Sequence, residues 1–461
     1  MATRTTSVDF EPLRNRLSSP TLLQTDLTGL DKYLKDATEY AGQPTAVLFA
    51  ENTDDVVEAV RFCRGQHIAI VPRGAGTGLS GGCVPSSNAL VLSTERIRHL
   101  EIREVESVAH CGPGLITKEL QDAVAKVGLA YPPDPASLAE STIGGNVAEN
   151  AGGLRCKRFG VTKDYVVGLA AVLADGSVLK TGAFGQRGGF GVGDLLIASE
   201  GTLGIITDIA VRLVPLTSRG TTILAAFDSP ADAGRTVAEI TASGLILNVL
   251  EFLDGDAVDC SNEYEKTEGL ERVGALLLIE TTDEDREKQT CVIRQICEKN
   301  RCSSLRLEPD VDKAEALWKV RRNLSKAVRD KAKAYISEDV AVPNTRFAEL
   351  VSFVAEMRRT SRIRVNSFGH AGDGNLHVYF VSNSGSVAEQ QEIKAGVTRL
   401  MHKTLELGGT LTGEHGIGLA KREYLALEFD HPTLDLMHRV KAVFDPERIL
   451  NPDKIFPTHE K

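Results

Sequence analysis

Short apolar runs separated by turn-forming residues dominate the chain from about residue 45 to 215 and predict strands with a few helices between them. Residues 45–49 read as a strand. A helix capped by Asn52 or Thr53 follows to about Arg64, and a strand over 68–71 runs into glycine-rich chain. Further strands are predicted over 89–92, 105–110, 165–174 and 203–214, with Asp175-Gly176 as a tight hairpin turn.

From about residue 221 the period changes. Strand 222–227, helix 230–242, strands 247–252 and 275–280, helix 284–299 and strand 304–307 give the β-α-β-β-α-β order of a ferredoxin-like unit. Helices over 314–331, 346–359, 387–407 and 432–443 extend it, with two strands around His370 and His377 between the second and third. No repeat, low-complexity segment or Pro/Ser-rich linker separates the halves, which predicts an extensive shared interface.

At 461 residues the chain exceeds one core and suggests roughly three domain-sized units, or one large domain with insertions. Its 42% hydrophobic and 25% charged content is that of an ordinary soluble globular protein. A formal charge of −10 argues against a nucleic-acid partner, whose phosphates reward excess Lys and Arg. Small anionic substrates stay compatible, because an Arg or a metal can reverse the field inside one pocket. The first residues lack the apolar core of a signal peptide, and no apolar run approaches the ~20 residues of a membrane span. A cytoplasmic location is therefore expected, with peripheral attachment at a membrane through an electron acceptor as the variant. The eight cysteines contain no CxxC and none follows Cys302, so they read as reduced thiols, and an iron–sulfur module on this chain is excluded.

Pro72-Arg73-Gly74-Ala75-Gly76-Thr77-Gly78-Leu79-Ser80-Gly81-Gly82 has five glycines within residues 74–82. Without Cβ atoms, successive N–H groups can converge on an anion, and Arg73 adds a positive charge. A literal G-x-G-x-x-G lies at Gly76, Gly78 and Gly81, with Glu101 about twenty residues on. That fingerprint must open a helix, whereas Cys83 to Asn88 is turn chemistry running into a strand, so a non-Rossmann phosphate loop is expected. Two more loops of small, hydrogen-bonding residues strengthen the reading: one carries Pro133, Asp134, Ser137, Thr142, Gly144, Gly145, Asn146, Ala148, Asn150, Gly152 and Gly153, the other Glu200, Gly201, Gly204 and Ile205. Three such loops suit a long ligand laid over many backbone groups.

The richest chemistry lies late in the chain. His370-Ala371-Gly372-Asp373-Gly374-Asn375-Leu376-His377 is answered by Gly413-Glu414-His415-Gly416. The glycines around His370 make a helix there improbable, so the histidine spacing is not one helical face. Two His and one Glu form a ligand set for Zn²⁺, Mn²⁺ or Fe²⁺ with positions left open for substrate, and the third histidine can serve as a base, a further ligand or a cofactor contact.

Together the Arg73–Gly82 loop, the Pro133-Asp134-Pro135 and Gly144-Gly145-Asn146 segment, the Glu200–Ile205 segment and the two histidine motifs resemble the vanillyl-alcohol-oxidase/PCMH type of flavoprotein, in its FAD-dependent D-2-hydroxyacid dehydrogenase branch. The match runs from about residue 45 to 455. The resemblance implies an α+β fold: a two-subdomain PCMH-type FAD-binding domain over 1–218, a ferredoxin-like cap with the substrate and metal site over 219–422, and a tail over 423–461 packed on the FAD domain. It implies FAD on the three glycine-rich loops and Asn451, with His370, His377 and Glu414 as ligands of Zn²⁺ or Mn²⁺ and His415 as catalytic base. Arg321 would hold the substrate carboxylate, helped by Ser325. Some relatives tether the flavin through a histidine in the first loop, where Thr77 stands here, so the FAD is expected to be non-covalent. Electrons would leave to a separate acceptor, a quinone, a cytochrome or an iron–sulfur partner, and a homodimer is compatible.

The chemistry explains the metal. A hydroxyl pKa of ~15.7 stands about 9 units above that of imidazole, roughly 12 kcal/mol, and a bound divalent ion can close most of that gap. For substrate, hydroxyglutarate-specific members carry a lysine where Ser337 stands and a small Asn where Tyr379 stands. D-lactate and glycolate are therefore expected over D-2-hydroxyglutarate, the alternative. A metal-dependent hydrolase would leave the three phosphate-type loops unexplained, and a non-catalytic flavin binder would leave the metal cluster unexplained.

Overall fold

Strands Leu23–Gln24, Ala46–Phe49, Leu90–Ser93 and Ile70–Arg73 lie side by side in that order in the computed structural model, which describes residues 8–185, 191–265, 273–330 and 332–457. The last three are parallel, and Ala46–Phe49 and Leu90–Ser93 are buried along their whole length, as parallel strands covered on both faces must be. The intervening helix, Thr53–Gln66, is capped by Asn52, whose side chain accepts the Asp55 N–H at 2.9 Å.

A second, antiparallel sheet runs Leu100–Arg103, Val108–Cys111, Ile205–Arg212, Val166–Val172, Val178–Lys180. Here one expected strand is corrected. Residues 104–107 are a turn between two paired strands, with Ser107 at φ +51° and Val105 fully exposed. A β-branched residue at a hairpin tip mimics a strand in the one-dimensional pattern. Helices Thr117–Ala125 and Ile143–Glu149 were also not expected; the second holds Gly144 and Gly145, so the second glycine-rich segment is partly helical, with Thr142 as its cap.

Seven strands form the third sheet, in the order Ser304–Glu308, Arg219–Phe227, Ala275–Thr282, Val249–Asp254, Arg364–Gly369, Asn375–Ser382, Ala334–Ala341, all antiparallel. The first four have the ferredoxin-like order, and the two histidine-bearing strands and Ala334–Ala341 continue the same sheet. Helices Pro230–Ala242, Arg286–Lys299, Phe347–Thr360 and Val387–Glu406 bury one face in the largest core. The opposite face, with Val249, Leu253, Phe368 and Tyr379, packs against Leu317, Trp318, Leu324 and Val328 of helix Val311–Arg329. The chain then returns to the N-terminal half. Leu450 bridges to Ile70 at the edge of the first sheet, and Val440 and Phe444 of helix His431–Phe444 pack on the core of the second.

Separate sheets, the seven-stranded one antiparallel with helices on its faces, make this the α+β architecture expected from sequence.

Candidate active site

A cleft of about 1100 Å³ is lined by the glycine-rich loops on one side and helix Val311–Arg329 on the other. Of the cofactor residues expected from sequence, Pro72, Arg73, Gly74, Ala75, Gly76, Thr77, Gly78, Leu79, Asp134, Ser137, Thr142, Gly144, Gly145, Asn146, Ala148, Glu200, Gly201, Gly204 and Ile205 line it. Seven stand behind the wall. The Ser80 carbonyl accepts the N–H groups of Leu419 and Ala420 at 2.8 and 3.0 Å, and Gly81 packs on Leu419. Asn451 donates to the Gly82 and Glu200 carbonyls at 2.8 and 2.7 Å, joining the first loop to the third. The Pro133 carbonyl accepts from Gln121 at 3.0 Å, and Asn150, in the left-handed region, accepts the Lys163 N–H at 2.9 Å. A Cβ on Gly152 or Gly153 would lie 2.5 Å from Glu414 Oε2 or 2.4 Å from the Asp134 carbonyl. Arg73 lines the cleft while its buried guanidinium braces the loop, donating to the Lys35 carbonyl at 2.7 Å and the Ala75 carbonyl at 3.2 Å.

At the end of the cleft, strand register builds a row across four neighbouring strands. Phe252 pairs with Gly369, which sets Glu251 beside His370; Phe368 pairs with His377, and His377 with Asp339. The row reads carboxylate, imidazole, imidazole, carboxylate. His370 Nδ1 lies 2.6 Å from Glu251 Oε1, and His377 Nδ1 lies 3.3 Å from Asp339 Oδ1. Both Nε2 atoms therefore point away from the flanking carboxylates and toward Glu414 Oε1, at 3.3 and 3.6 Å. Ligands ~2.1 Å from a tetrahedral ion stand about 3.4 Å apart, so these three donors fit one divalent cation. Asp339, His377 and His415 also cluster. That set suits an ion less well, because Asp339 Oδ2 already accepts the N–H groups of Gly413, Glu414 and His415 at 2.7, 2.7 and 3.0 Å, and Oδ1 accepts from Asn375.

The field matches the geometry. Burial opposes charge on His370, but Glu251 and Glu414 outweigh it and hold the ring's pKa well above its usual value. Burial likewise opposes ionisation of Glu414, but His370 and His377 bring the carboxyl down to about 2. The pocket thus favours positive charge where the Nε2 atoms meet. His415 differs: burial pushes its imidazole down to about 4, and its Nδ1 has no hydrogen-bond partner. Glu414 and His415 both line the cleft. Gly416, at φ +86°, supplies the turn behind them; a Cβ there would lie 2.7 Å from Glu149 Oε2.

Arg321 is buried and does not line the cleft. Its Nε donates to Glu251 Oε2, and its guanidinium lies 5.0 Å over the Phe368 ring. Ser325 does line the cleft and is hydrogen-bonded to the Tyr379 hydroxyl. Sequence reasoning missed Glu251 and the buried Lys421, whose Nζ donates to the Asp339 carbonyl at 2.7 Å, and it passed over the role of Asp339. One signal was available for Glu251: an acid inside the apolar run Val249-Leu250-Glu251-Phe252-Leu253 needs a buried partner.

Comparison with known proteins is decisive for the family. Residues 216–455 match the family of FAD linked oxidases, C-terminal domain, and residues 44–182 match the FAD binding domain family. The chain belongs to the FAD-linked oxidases. It is 38% identical over 451 residues to the glycolate oxidase subunit GlcD of Bacillus subtilis, covering 96% of this chain and 95% of that one. It is 33% identical to a D-lactate dehydrogenase of Anaerostipes hadrus, covering 90% of each. Among solved structures, 4-ethylphenol oxidase from Gulosibacter chungangensis has a TM-score of 0.77 at 20% identity, covering 98% of each chain, and p-cresol methylhydroxylase has 0.79 at 14%, covering 95% of this chain and 94% of its own. These two share the fold. The protein is an FAD-linked oxidoreductase, and no helix among its described residues is long and apolar enough to cross a membrane.

Proposed function

We propose that this oxidoreductase converts a small D-2-hydroxy acid, D-lactate or glycolate, to the 2-oxo acid, with FAD held non-covalently along the glycine-rich wall and Zn²⁺ or Mn²⁺ on His370 Nε2, His377 Nε2 and Glu414. The observation that carries this reading is the convergence of those three donors at the end of a cleft also lined by His415. When bound, the flavin supplies a hydride acceptor, and the cation lowers the pKa of the substrate hydroxyl from ~15.7 toward ~7.

The chain's own residues do the rest. His415, kept unprotonated near neutral pH by its burial, accepts the hydroxyl proton once the alcohol is acidified. Arg321 holds Glu251 through Nε beside the cleft wall, and Ser325, which lines the cleft, offers the substrate carboxylate a hydroxyl. The carbon-bound hydrogen leaves as hydride with both C–H electrons, so with the proton taken by His415 the substrate loses two protons and two electrons and the C–O bond becomes a carbonyl. The electrons pass on to a separate acceptor.

Tyr379 braces the cleft wall from behind: its ring stacks on Phe368 at 5.3 Å and its hydroxyl engages Ser325, which lines the cleft. One observation favours the alternative, D-2-hydroxyglutarate, because Arg329 lines the cleft one turn beyond Ser325 and could meet a second carboxylate. Both readings are tested by steady-state rates on D- and L-lactate, glycolate and D-2-hydroxyglutarate with an artificial acceptor, before and after chelation. Bleaching of the flavin by D-lactate, with activity lost on chelation and restored by Zn²⁺ or Mn²⁺, is expected. Equal or higher kcat/KM on hydroxyglutarate would select the alternative, and full activity without any divalent ion would overturn the metal assignment.

A further inference from the structure

We propose that Glu251 is a positioning residue whose two oxygens hold the ring of His370 and the guanidinium of Arg321, fixing the metal ligand against a buried cation. The inference rests on the metal reading above.

Glu251 is completely buried at the centre of an apolar strand, where a carboxylate is costly without partners. Oε1 takes the Nδ1 side of His370 at 2.6 Å, and Oε2 takes Arg321 Nε. Both oxygens are therefore engaged, one by the metal ligand and one by a buried cation. A carboxylate can only accept, so the proton of a neutral His370 must sit on Nδ1, and the Nε2 lone pair is left facing Glu414 at 3.3 Å. An imidazole whose other nitrogen donates to a carboxylate is fixed in orientation and is a more basic ligand.

The simpler account is a structural ion pair, but burying such a pair seldom adds stability over apolar packing. Leucines already occupy the strand on either side, at 250 and 253, so an apolar residue would suit the sheet. The two accounts part company over Glu251→Gln, which has nearly the same shape. A glutamine can keep its carbonyl toward Arg321, but its amide then donates to His370 Nδ1 and drives the ring proton to Nε2, where it blocks the metal.

Mn²⁺ is titrated into flavin-loaded, chelator-treated protein and the free ion is followed by electron paramagnetic resonance. Glu251→Gln is expected to weaken Mn²⁺ binding about 10–100-fold with flavin content and far-ultraviolet circular dichroism unchanged. Affinity within twofold of the parent protein would overturn the proposal. His370→Ala is the control for the underlying reading: if it also leaves Mn²⁺ affinity unchanged, the metal site itself is wrong, whereas loss in His370→Ala alone condemns only the role of Glu251. Should Glu251→Gln misfold, ¹⁵N-histidine NMR of the Zn²⁺-loaded parent decides, since a proton retained on His370 Nδ1 supports the proposal and an unprotonated Nδ1 contradicts it.

Discussion

The ring of His415 lies parallel to that of His377, with centroids 5.0 Å apart and 7° between planes. The candidate base is thus stacked on a candidate ligand, and the loop that carries it is held by hydrogen bonds to Asp339, the residue paired with His377.

Asp339→Asn tests that hold. Asparagine cannot present an ionised oxygen to three converging N–H groups, and its amide sets a donor among donors. Turnover is expected to fall at least about 100-fold and unfolding free energy by about 2–4 kcal/mol, with flavin retained. Urea titration and steady-state rates check both, and near-parental kinetics would refute the role.

Gly416→Ala places a Cβ 2.7 Å from Glu149 Oε2 and 2.9 Å from Glu200 Oε1, at a φ of +86°. A cost of about 1–3 kcal/mol follows from the backbone alone. Activity should drop by an order of magnitude or more while the FAD dissociation constant stays put, because the displaced loop carries Glu414 and His415.

Asn451→Ala should show the reverse pattern. Losing both donors leaves the Gly82 and Glu200 carbonyls unpaired behind the loops that line the cleft. FAD binding, followed by recovery of flavin fluorescence on dilution, is expected to weaken about 10-fold, near 1.4 kcal/mol. Unchanged retention would show that the loops hold their shape without this brace.

Glu338 gives a pH signature. Burial pushes its carboxyl up to about 7, against the pull of Lys421 3.8 Å away, and its Oε2 has no hydrogen-bond partner. The folded-state pKa lies above the unfolded value, so this contribution to stability is complete below about pH 4.5 and is lost as pH rises through 7. Glu338→Gln removes that loss. Its stability relative to the parent should rise by about 1–3 kcal/mol between pH 4.5 and 8 in urea unfolding, and a difference independent of pH would contradict the assignment.

Local pattern made much of this protein legible. Strand and helix periods located most elements to within a few residues, because alternation and helical spacing are read from neighbours in the chain. Glycine runs marked the cleft for a related reason, since a residue without a side chain where packing would favour one signals a backbone held close to something else. His370, His377 and Glu414 stood out by residue type, and the structure brings their ligand atoms together.

Periodicity failed where a turn borrowed a strand-forming residue, as at Val105, and where glycines opened a helix, as at Gly144 and Gly145. More was decided only by tertiary structure: that Glu251 meets His370 across 119 residues of chain, that Asp339 gathers the His415 loop across 76, and that Arg73 and Arg321 turn inward. These contacts depend on strand register and on which loop closes over which sheet. Residue order along the chain states what chemistry is present, whereas the pairing of strands determines which nitrogen of each histidine faces a carboxylate and which faces the cleft.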